Sequence, residues 1–505
     1  MAKLYVFGIG GTGARIIKSL AMLLASGVST GYEIVPIILD PDAANADVNR
    51  TKKILDDYFK IREKGNSSGA SSFFKDKIST LANVVNADDK NEVSNNFVVN
   101  IEGLQNNETF KSFLDYQNLD AHNKKMIDLL FSEDNLALSL DVGFKGNPNI
   151  GSVVLNSFVK SNTFRTFANS FANGDKIFIA SSIFGGTGAA GFPLILKNIR
   201  EAQDGDHFYD FLRNAIVGAI SVQPYFIIDK EEGAEIDSHT FITKTKSALY
   251  YYEDFVSKNK SLNATYYIGD SSNAKFKHNV GGNSQRNNAH FVELASALAI
   301  VDFAATQGLS TSGGFAVNPV YKEFGVKEGN SVLNFTSIAD ETERLIKKPL
   351  AKFFYFNLFL DKQLESTDQD PYAKTKDDSS FDSNFRQSSF FSTLKSFNKD
   401  YKVWLGEMKQ NTVSFAPFNI ENQLENGVVS GINYSPGEDI FNHISGRAPN
   451  GDGLFGLSKK NFELFRAHLN NAAVKTKNYS SKEDRFLQVF SQATETILNK
   501  KGLIN

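Results

Sequence analysis

Ser182-Ile183-Phe184-Gly185-Gly186-Thr187-Gly188-Ala189-Ala190-Gly191 follows a β-rich run, Lys176–Ser181, and opens a helical run that reaches Arg200. Glycine at a strand-to-helix turn lets the backbone approach an anion closely. The first helical turn then offers unpaired N–H groups and the positive end of its dipole. A second stretch of this kind stands at the start of the chain. Leu4–Gly8 is β-rich, Gly8-Ile9-Gly10-Gly11-Thr12-Gly13 follows, and Ala14–Ala25 has the composition of a helix. Two such loops in one α/β unit meet only if their strands are neighbours, where the strand order of the sheet reverses. One loop then holds one end of a polyphosphate and the other loop the far end, with the Thr187 hydroxyl as an added donor. Neither is a Walker A loop, because no Gly-Lys-Ser/Thr follows. The charge falls to backbone N–H groups and a metal ion.

Working outward, strands and helices alternate. Glu33–Leu39 reads as a buried strand ending at Asp40-Pro41-Asp42, and Ala215–Val222 as another that stops at Gln223-Pro224. Thr240–Phe255 reads as a helix, Thr265–Ile268 as a short strand reaching Gly269-Asp270, and Ala289–Ala305 as a helix apolar on most sides. The alternation predicts an α/β fold with a doubly wound, mostly parallel sheet. Residues 43–135 are polar and mixed and read as an insertion of helices and loops. The expected organisation is a nucleotide-binding domain over 1–288, a central helix over 289–306 and an α+β C-terminal domain over 307–505. In that last part Val332–Ile338 is strand-like, Ala351–Leu360 is apolar, Lys482–Lys500 reads as a helix, and the acidic, Ser-rich stretch 361–389 reads as a mobile loop.

Composition narrows the chemistry. The 505 residues exceed what one hydrophobic core holds, so two or three domains are expected. With 54 basic and 57 acidic residues the net charge is −3, which gives no footprint for nucleic acid or a membrane surface. The absence of Cys excludes disulfides, thiolate metal sites and thiol nucleophiles, and fits a cytoplasmic protein. Seven His are scattered from His122 to His468 without an i,i+4 pair, which disfavours zinc. No secretory leader and no membrane span of roughly 20 apolar residues is expected. The 44 Phe predict cores rich in aromatic pairs.

Gly185-Gly186-Thr187-Gly188-Ala189-Ala190-Gly191 resembles the GGGTG(S/T)G signature of tubulin and FtsZ, with Phe184 replacing one glycine of the run. Other elements of that family follow in order. Gly8, Gly10, Gly11, Thr12 and Gly13 resemble its first nucleotide loop. Leu39-Asp40-Pro41-Asp42 resembles its second, which implies that Asp42 meets a nucleotide-bound Mg2+ through water. Gly143 through Gly146-Asn147-Pro148-Asn149-Ile150-Gly151 is similar to the third loop, which closes over the terminal phosphate. Ser221-Val222-Gln223-Pro224-Tyr225 resembles the strand and Pro-aromatic turn leading to the ribose, and Asp229, Glu231 and Glu232 come next. Asp270 matches the residue that touches guanine. At the start of the central helix Arg286 is the candidate for stacking on the base and His290 for its edge. The resemblance implies GTP or GDP as ligand and self-association head to tail into filaments, with a further protein partner possible.

The sequence also departs from that pattern. Asp270 stands where the family has Asn, and a carboxylate still accepts from guanine N1–H and N2–H. After the central helix the family carries acids that position the attacking water. Here Gln307-Gly308-Leu309-Ser310-Thr311-Ser312-Gly313-Gly314 has none, and the nearest are Asp302 and Glu323. Slow or partner-dependent hydrolysis is therefore expected. Two other readings stay open. GIGGTG with Asp40, Asn45, Asn49 and Arg50 is similar to the adenylate-forming ThiF/E1-like family, and a degenerate, non-hydrolysing structural subunit accounts for the missing acids. Asp40 and Asp42 also suit plain helix capping, and His290 a plain position on a helix face.

Overall fold

The computed structural model describes residues 1–85, 93–101, 103–104, 109–140, 143–144, 146–228, 238–270, 275–276, 282, 285–323, 332–374, 380–434, 440–446 and 461–504. Its centre is a six-stranded sheet. In chain order the strands are β1 (Lys3–Ile9), β2 (Glu33–Leu39), β3 (Lys176–Ser182), β4 (Ile216–Val222), β5 (Ala264–Ile268) and β6 (Val320–Glu323). Across the sheet the order is β6-β5-β4-β3-β1-β2, and every neighbouring pair is parallel. The protein is thus a mixed α/β fold. The order reverses at β1, which lies between β2 and β3 with Gly8 opposite Ile38 on one side and Ala180 on the other.

Strands β1 to β4 are mostly apolar runs, as parallel strands covered on both faces are, whereas the edge strand β6 is largely exposed. β2 is the other edge strand, and it carries Pro36. The outward N–H groups of Ile34 and Ile38 donate to the carbonyls of Lys77 and Phe97, at 2.8 and 2.9 Å. Pro36 falls between them on the same side, where an edge tolerates a missing donor.

Helix α1 (Gly10–Ser26) leaves β1 directly and ends at Gly27, whose φ of 109° and bonds to the Leu23 and Leu24 carbonyls make a left-handed cap. α2 (Ala46–Gly65) is capped by the Asn45 side chain, which accepts from the Asp47 and Val48 N–H groups. Next come α3 (Pro148–Val159), α4 (Gly186–Arg200), α5 (Ser238–Tyr252) and α6 (Phe291–Ala305). α6 is buried on almost every side, as its mostly apolar composition predicts.

The C-terminal part holds α7 (Asp340–Lys362), α8 (Ser389–Gln410), the hairpin β7 (Ile420–Glu425) and β8 (Val428–Tyr434), α9 (Asn461–Lys475) and α10 (Lys482–Lys500). Its helices pack straight onto α1 and α2. Phe73 and Phe74 meet Phe353, Phe356 and Phe397 in edge and stacked pairs, and Trp404 Nε1 donates to Ser19 Oγ at 3.2 Å. This is where much of the phenylalanine is spent.

Two expectations change. The stretch 361–389 is not one acidic loop: Tyr372, Ala373, Phe381 and Phe385 are buried, and Asp370 binds the Arg466 guanidinium at 2.6 Å. The aromatic residues outweigh the acids because they complete a pocket against Phe486 and Phe490. Val320–Glu323, which lies beyond the central helix, adds the sixth strand to the main sheet beside β5. No helix among the described residues is long and apolar enough to cross a membrane.

Helix α1 lies close to β1 because Gly8 and Gly13 lack side chains. A Cβ on Gly13 would stand 2.6 Å from the Gly8 carbonyl carbon and 2.7 Å from the Ala180 oxygen. Both are backbone atoms that cannot rotate away. Gly13→Ala is expected to lower unfolding stability by about 1–3 kcal/mol, read from the urea midpoint at unchanged m-value.

Candidate nucleotide site

β1 and β3 run side by side, so their C-terminal loops emerge side by side. Gly10 takes a φ of +71°, which favours glycine, and its missing Cβ would lie 3.4 Å from Thr187 Cβ and 3.8 Å from the Gly188 nitrogen. The first glycine loop and the loop at 182–191, the fourth in the set, are therefore in van der Waals contact. Gly186 in turn faces the third loop: a Cβ there would stand 3.1 Å from both the Gly146 and the Asn147 nitrogens. Gly151 closes the group, 3.1 Å by the same measure from the Gly186 oxygen. Three segments that are remote in sequence meet at the point where the strand order reverses.

Three helices start there, and none is capped by a side chain. The N-cap residues are Ile9 for α1, Asn147 for α3 and Gly185 for α4, and none makes a side-chain capping bond. By contrast Asn45 caps α2 and His290 caps α6. Three helix starts without side-chain caps concentrate N–H donors and positive dipole ends in one place. That is an anion-binding arrangement.

The glycines divide into two kinds. Gly10, Gly11, Gly185 and Gly186 line the junction of the loops. Gly8, Gly13 and Gly188 serve packing, since a Cβ on Gly188 would meet the Ser182 oxygen at 2.5 Å. Strand backbone fills the side-chain space of Gly13 and Gly188, and Ile17 with the Gly13 backbone fills that of Gly8, so none of the three is open to a ligand. Phe184 also belongs to packing, meeting Phe226 edge-on at 5.5 Å and Tyr225 at 6.1 Å. Thr12 is buried and Thr187 half-buried.

The second loop touches the first through Asn45. The Asn45 Nδ2 donates to Asp40 Oδ2 at 3.3 Å and lies 3.3 Å from where a Cβ on Gly11 would be. Asp40 Oδ1 accepts from the Asp42 N–H at 3.0 Å. Burial pushes the Asp40 carboxyl up to about 7, against the bonds from Asp42 and Asn45 that hold it down. Asp42 is 2% exposed, and its two oxygens accept from the Ala44 and Gly282 N–H groups at 3.0 and 2.7 Å. It fixes the loop that leads to α2. Among the described residues no three His, Asp or Glu gather into a metal cage.

Beside Gly11 a cleft of about 260 Å3, open solvent included, is lined by Arg15, Tyr225, Phe226, Asn287, Asn288, His290 and Glu293. His290 is 2% exposed. Its Nδ1 accepts from the Val292 N–H at 3.0 Å, so the neutral ring carries its proton on Nε2. That Nε2 is buried with no hydrogen-bond partner among the described residues. Burial first, then Arg15, lowers the His290 pKa, while Glu293 and Asp270 raise it. The ring therefore stays neutral, and Asp270 at the end of β5 lies close enough to act on it. Tyr225 packs on His290 at 4.9 Å. Pro224 is half-buried in the turn that carries Tyr225. Arg286 is exposed and does not line the cleft. Asp229, Glu231 and Glu232 lie outside the described residues.

The wall of the cleft is ionic. Arg15 is 4% exposed and donates to Glu293 at 2.5 Å, to Asp47 at 2.9 Å and to the Tyr225 hydroxyl at 2.7 Å. Glu293 also accepts from Tyr225 at 3.1 Å and from the His290 N–H at 3.2 Å. Sequence reasoning missed Arg15 and Glu293, and it put Tyr225 only in the turn leading to the ribose. The available signal was a pair of charges, Arg15 and Lys18, inside an otherwise apolar helix. At the far end of the sheet, residues 307–316 form a small hairpin whose Gly314 N–H donates to Asn214 just before β4, at 3.1 Å. Asp302, the nearest acid in α6, is held by Tyr266 and Lys322 at 2.6 and 2.5 Å.

No known protein family and no curated protein matches the sequence. Among solved structures, the chain is similar to CetZ2 from Haloferax volcanii in a GTPγS-bound protofilament, with 12% identity and a TM-score of 0.29 over 60% of this chain. It is also similar to a point mutant of FtsZ from M. jannaschii, with 15% identity and a TM-score of 0.27 over 53%. CetZ from Methanosaeta thermophila strain DSM 6194 gives 12% and 0.25 over 60%. The matches span 59, 46 and 51% of those chains.

The raised Asp40 pKa has a sign that can be tested. The folded chain holds this proton up to about 7, whereas an unfolded carboxyl releases it near 3.8. Between those values the unfolded state binds fewer protons, so the Asp40 contribution to stability falls as pH rises from 4 to 7 and stays low above. Asp40→Asn is expected to flatten that slope, by on the order of a few kcal/mol between pH 4 and pH 8. Chemical denaturation of both proteins across the window measures it.

Proposed function

We propose that the chain is a tubulin/FtsZ-like protein that binds GTP or GDP at the junction of its glycine loops and associates with itself head to tail. One observation carries the reading: Gly10 lies against Thr187 while Gly186 lies against the amides of Gly146 and Asn147, at the reversal of a parallel sheet. The uncapped starts of α1, α3 and α4 supply the donors for a polyphosphate. Residues 1–288 together with the strand Val320–Glu323 then act as the nucleotide-binding unit, 289–306 as the central helix and the residues from Val332 on as a divergent α+β domain.

The base occupies the cleft at His290. Its Nε2–H suits the guanine O6, and the Asp270 carboxylate suits N1–H and N2–H. Tyr225 and Phe226 provide the apolar wall, a role the sequence had given to Arg286. A Mg2+ ion carried by the phosphates meets Asp42 through water, since both Asp42 oxygens already hold backbone N–H groups. Residues 307–314 bring no carboxylate, so hydrolysis is slow or depends on a partner. A head-to-tail contact joins the loop end of one sheet to the hairpin end of the next, which is the geometry of an open polymer. An adenylate-forming enzyme of Rossmann type leaves the third and fourth loops without a role. A structural subunit that never hydrolyses keeps the same site and differs only in turnover.

Titration with fluorescent nucleotides tests the site. Binding of GTP and GDP is expected to be at least about tenfold tighter than ATP, with none for NAD. Preference for ATP overturns the guanine assignment. Gly186→Val is expected to abolish binding, because its side chain enters the space before the Gly146 and Asn147 amides, while circular dichroism stays unchanged. Light scattering and negative-stain images with and without GTP test assembly, and monomers at every concentration refute it.

A further inference from the structure

Lys244 is a cation with no counter-ion in view. It stands on α5, and its Nζ donates to the Gly146 carbonyl of the third loop. It is half-buried, and among the described residues no carboxylate lies within ion-pair distance of it. Burial lowers its pKa, and no charged group among the described residues counters that shift. A desolvated ammonium satisfied by one neutral carbonyl has lost more hydration than it has regained. Its place explains what it lacks. From the cleft at His290, the neighbours run in order: Arg15 beside Gly11, Gly10 against Thr187, Gly186 against Gly146, and Gly146 against Lys244. A nucleotide with its base in the cleft and its phosphates along the glycines ends at this lysine.

We propose that Lys244 binds the terminal phosphate of a nucleoside triphosphate and so distinguishes the triphosphate from the diphosphate. The inference rests on the nucleotide reading of the site. When the phosphate is present, the ammonium exchanges a neutral carbonyl for an anionic oxygen, and a charge-assisted bond is the stronger one. Without the phosphate, that ammonium instead ties α5 to the third loop through the Gly146 carbonyl. Lys244 thereby supplies from a neighbouring helix the cation that a Walker A loop carries within itself.

The test compares GTPγS, GDP and GMP on the full chain, using wild type, Lys244→Met and Lys244→Arg. The methionine variant is expected to bind GTPγS roughly 10- to 100-fold more weakly. GDP and GMP should change by less than about threefold, and the arginine variant should recover most of the GTPγS affinity. Equal loss for GTPγS and GDP, or no loss for either, overturns the terminal-phosphate assignment while the nucleotide site stands. A wild-type chain that binds none of the three overturns both. Thermal melting of each variant without ligand separates lost contact from lost folding: a methionine variant that melts like wild type and loses only GTPγS supports the assignment, and one whose weakened binding tracks a lowered melting temperature for all three nucleotides overturns it.

Discussion

A guanidinium taken out of water must be paired on every side, and Arg15 is paired on three. It reaches Glu293 at the start of α6, Asp47 at the start of α2 and the Tyr225 hydroxyl after β4, while its own helix begins in the first glycine loop. An unpaired charge at 4% exposure is costly, so the four elements cannot separate without a penalty of several kcal/mol. The network continues inward. Glu407 on α8 accepts from Arg50 at 2.5 Å and from the Ala289 N–H at 3.0 Å, and lies 3.6 Å from the Lys18 Nζ. Burial lowers the Lys18 pKa, and its Nζ makes no hydrogen bond among the described residues. Three basic and three acidic groups thus join α1, α2, α6 and α8. Charge pairs fix register where apolar packing alone tolerates slippage, which is a use such buried networks are suited to.

That register decides the site. α1 is held at one end by glycine packing onto β1 and on its flank by Arg15, so its first turn cannot shift away from Thr187. α6 is held by Glu293, which accepts from the His290 N–H while His290 caps the helix. The imidazole is therefore fixed in orientation and tautomer before any ligand arrives. Preorganised donors cost nothing to arrange on binding. The C-terminal helices take part at one remove: α8 presents Glu407 to the network and Trp404 to Ser19.

Much of the fold was legible because it is local. Glu33–Leu39 and Lys482–Lys500 have the bounds their composition predicts, and the central helix starts within two residues of its expected place. The second glycine-rich run reads as a loop through Gly191, whereas the helix already begins at Gly186. Glycine conceals a helix start, because its low propensity outweighs the dipole end it exposes. The stretch 361–389 misled for the opposite reason. Its acids are visible in any window, but the partners of Tyr372 and Phe385 are in α8 and α10.

The sequence by itself determined the element types, the parallel sheet and the two glycine-rich turns, since backbone period and turn chemistry are written in neighbouring residues. It determined nothing about which glycines face a neighbouring loop and which face a strand. Gly13 and Gly186 look alike as letters; one lies against the Ala180 carbonyl and the other against the amides of Gly146 and Asn147. Nor did it show that Arg15, Asp47, Tyr225 and Glu293 share one buried cluster. Those relations join residues tens to hundreds of positions apart, and only the packing of the chain in three dimensions decides them.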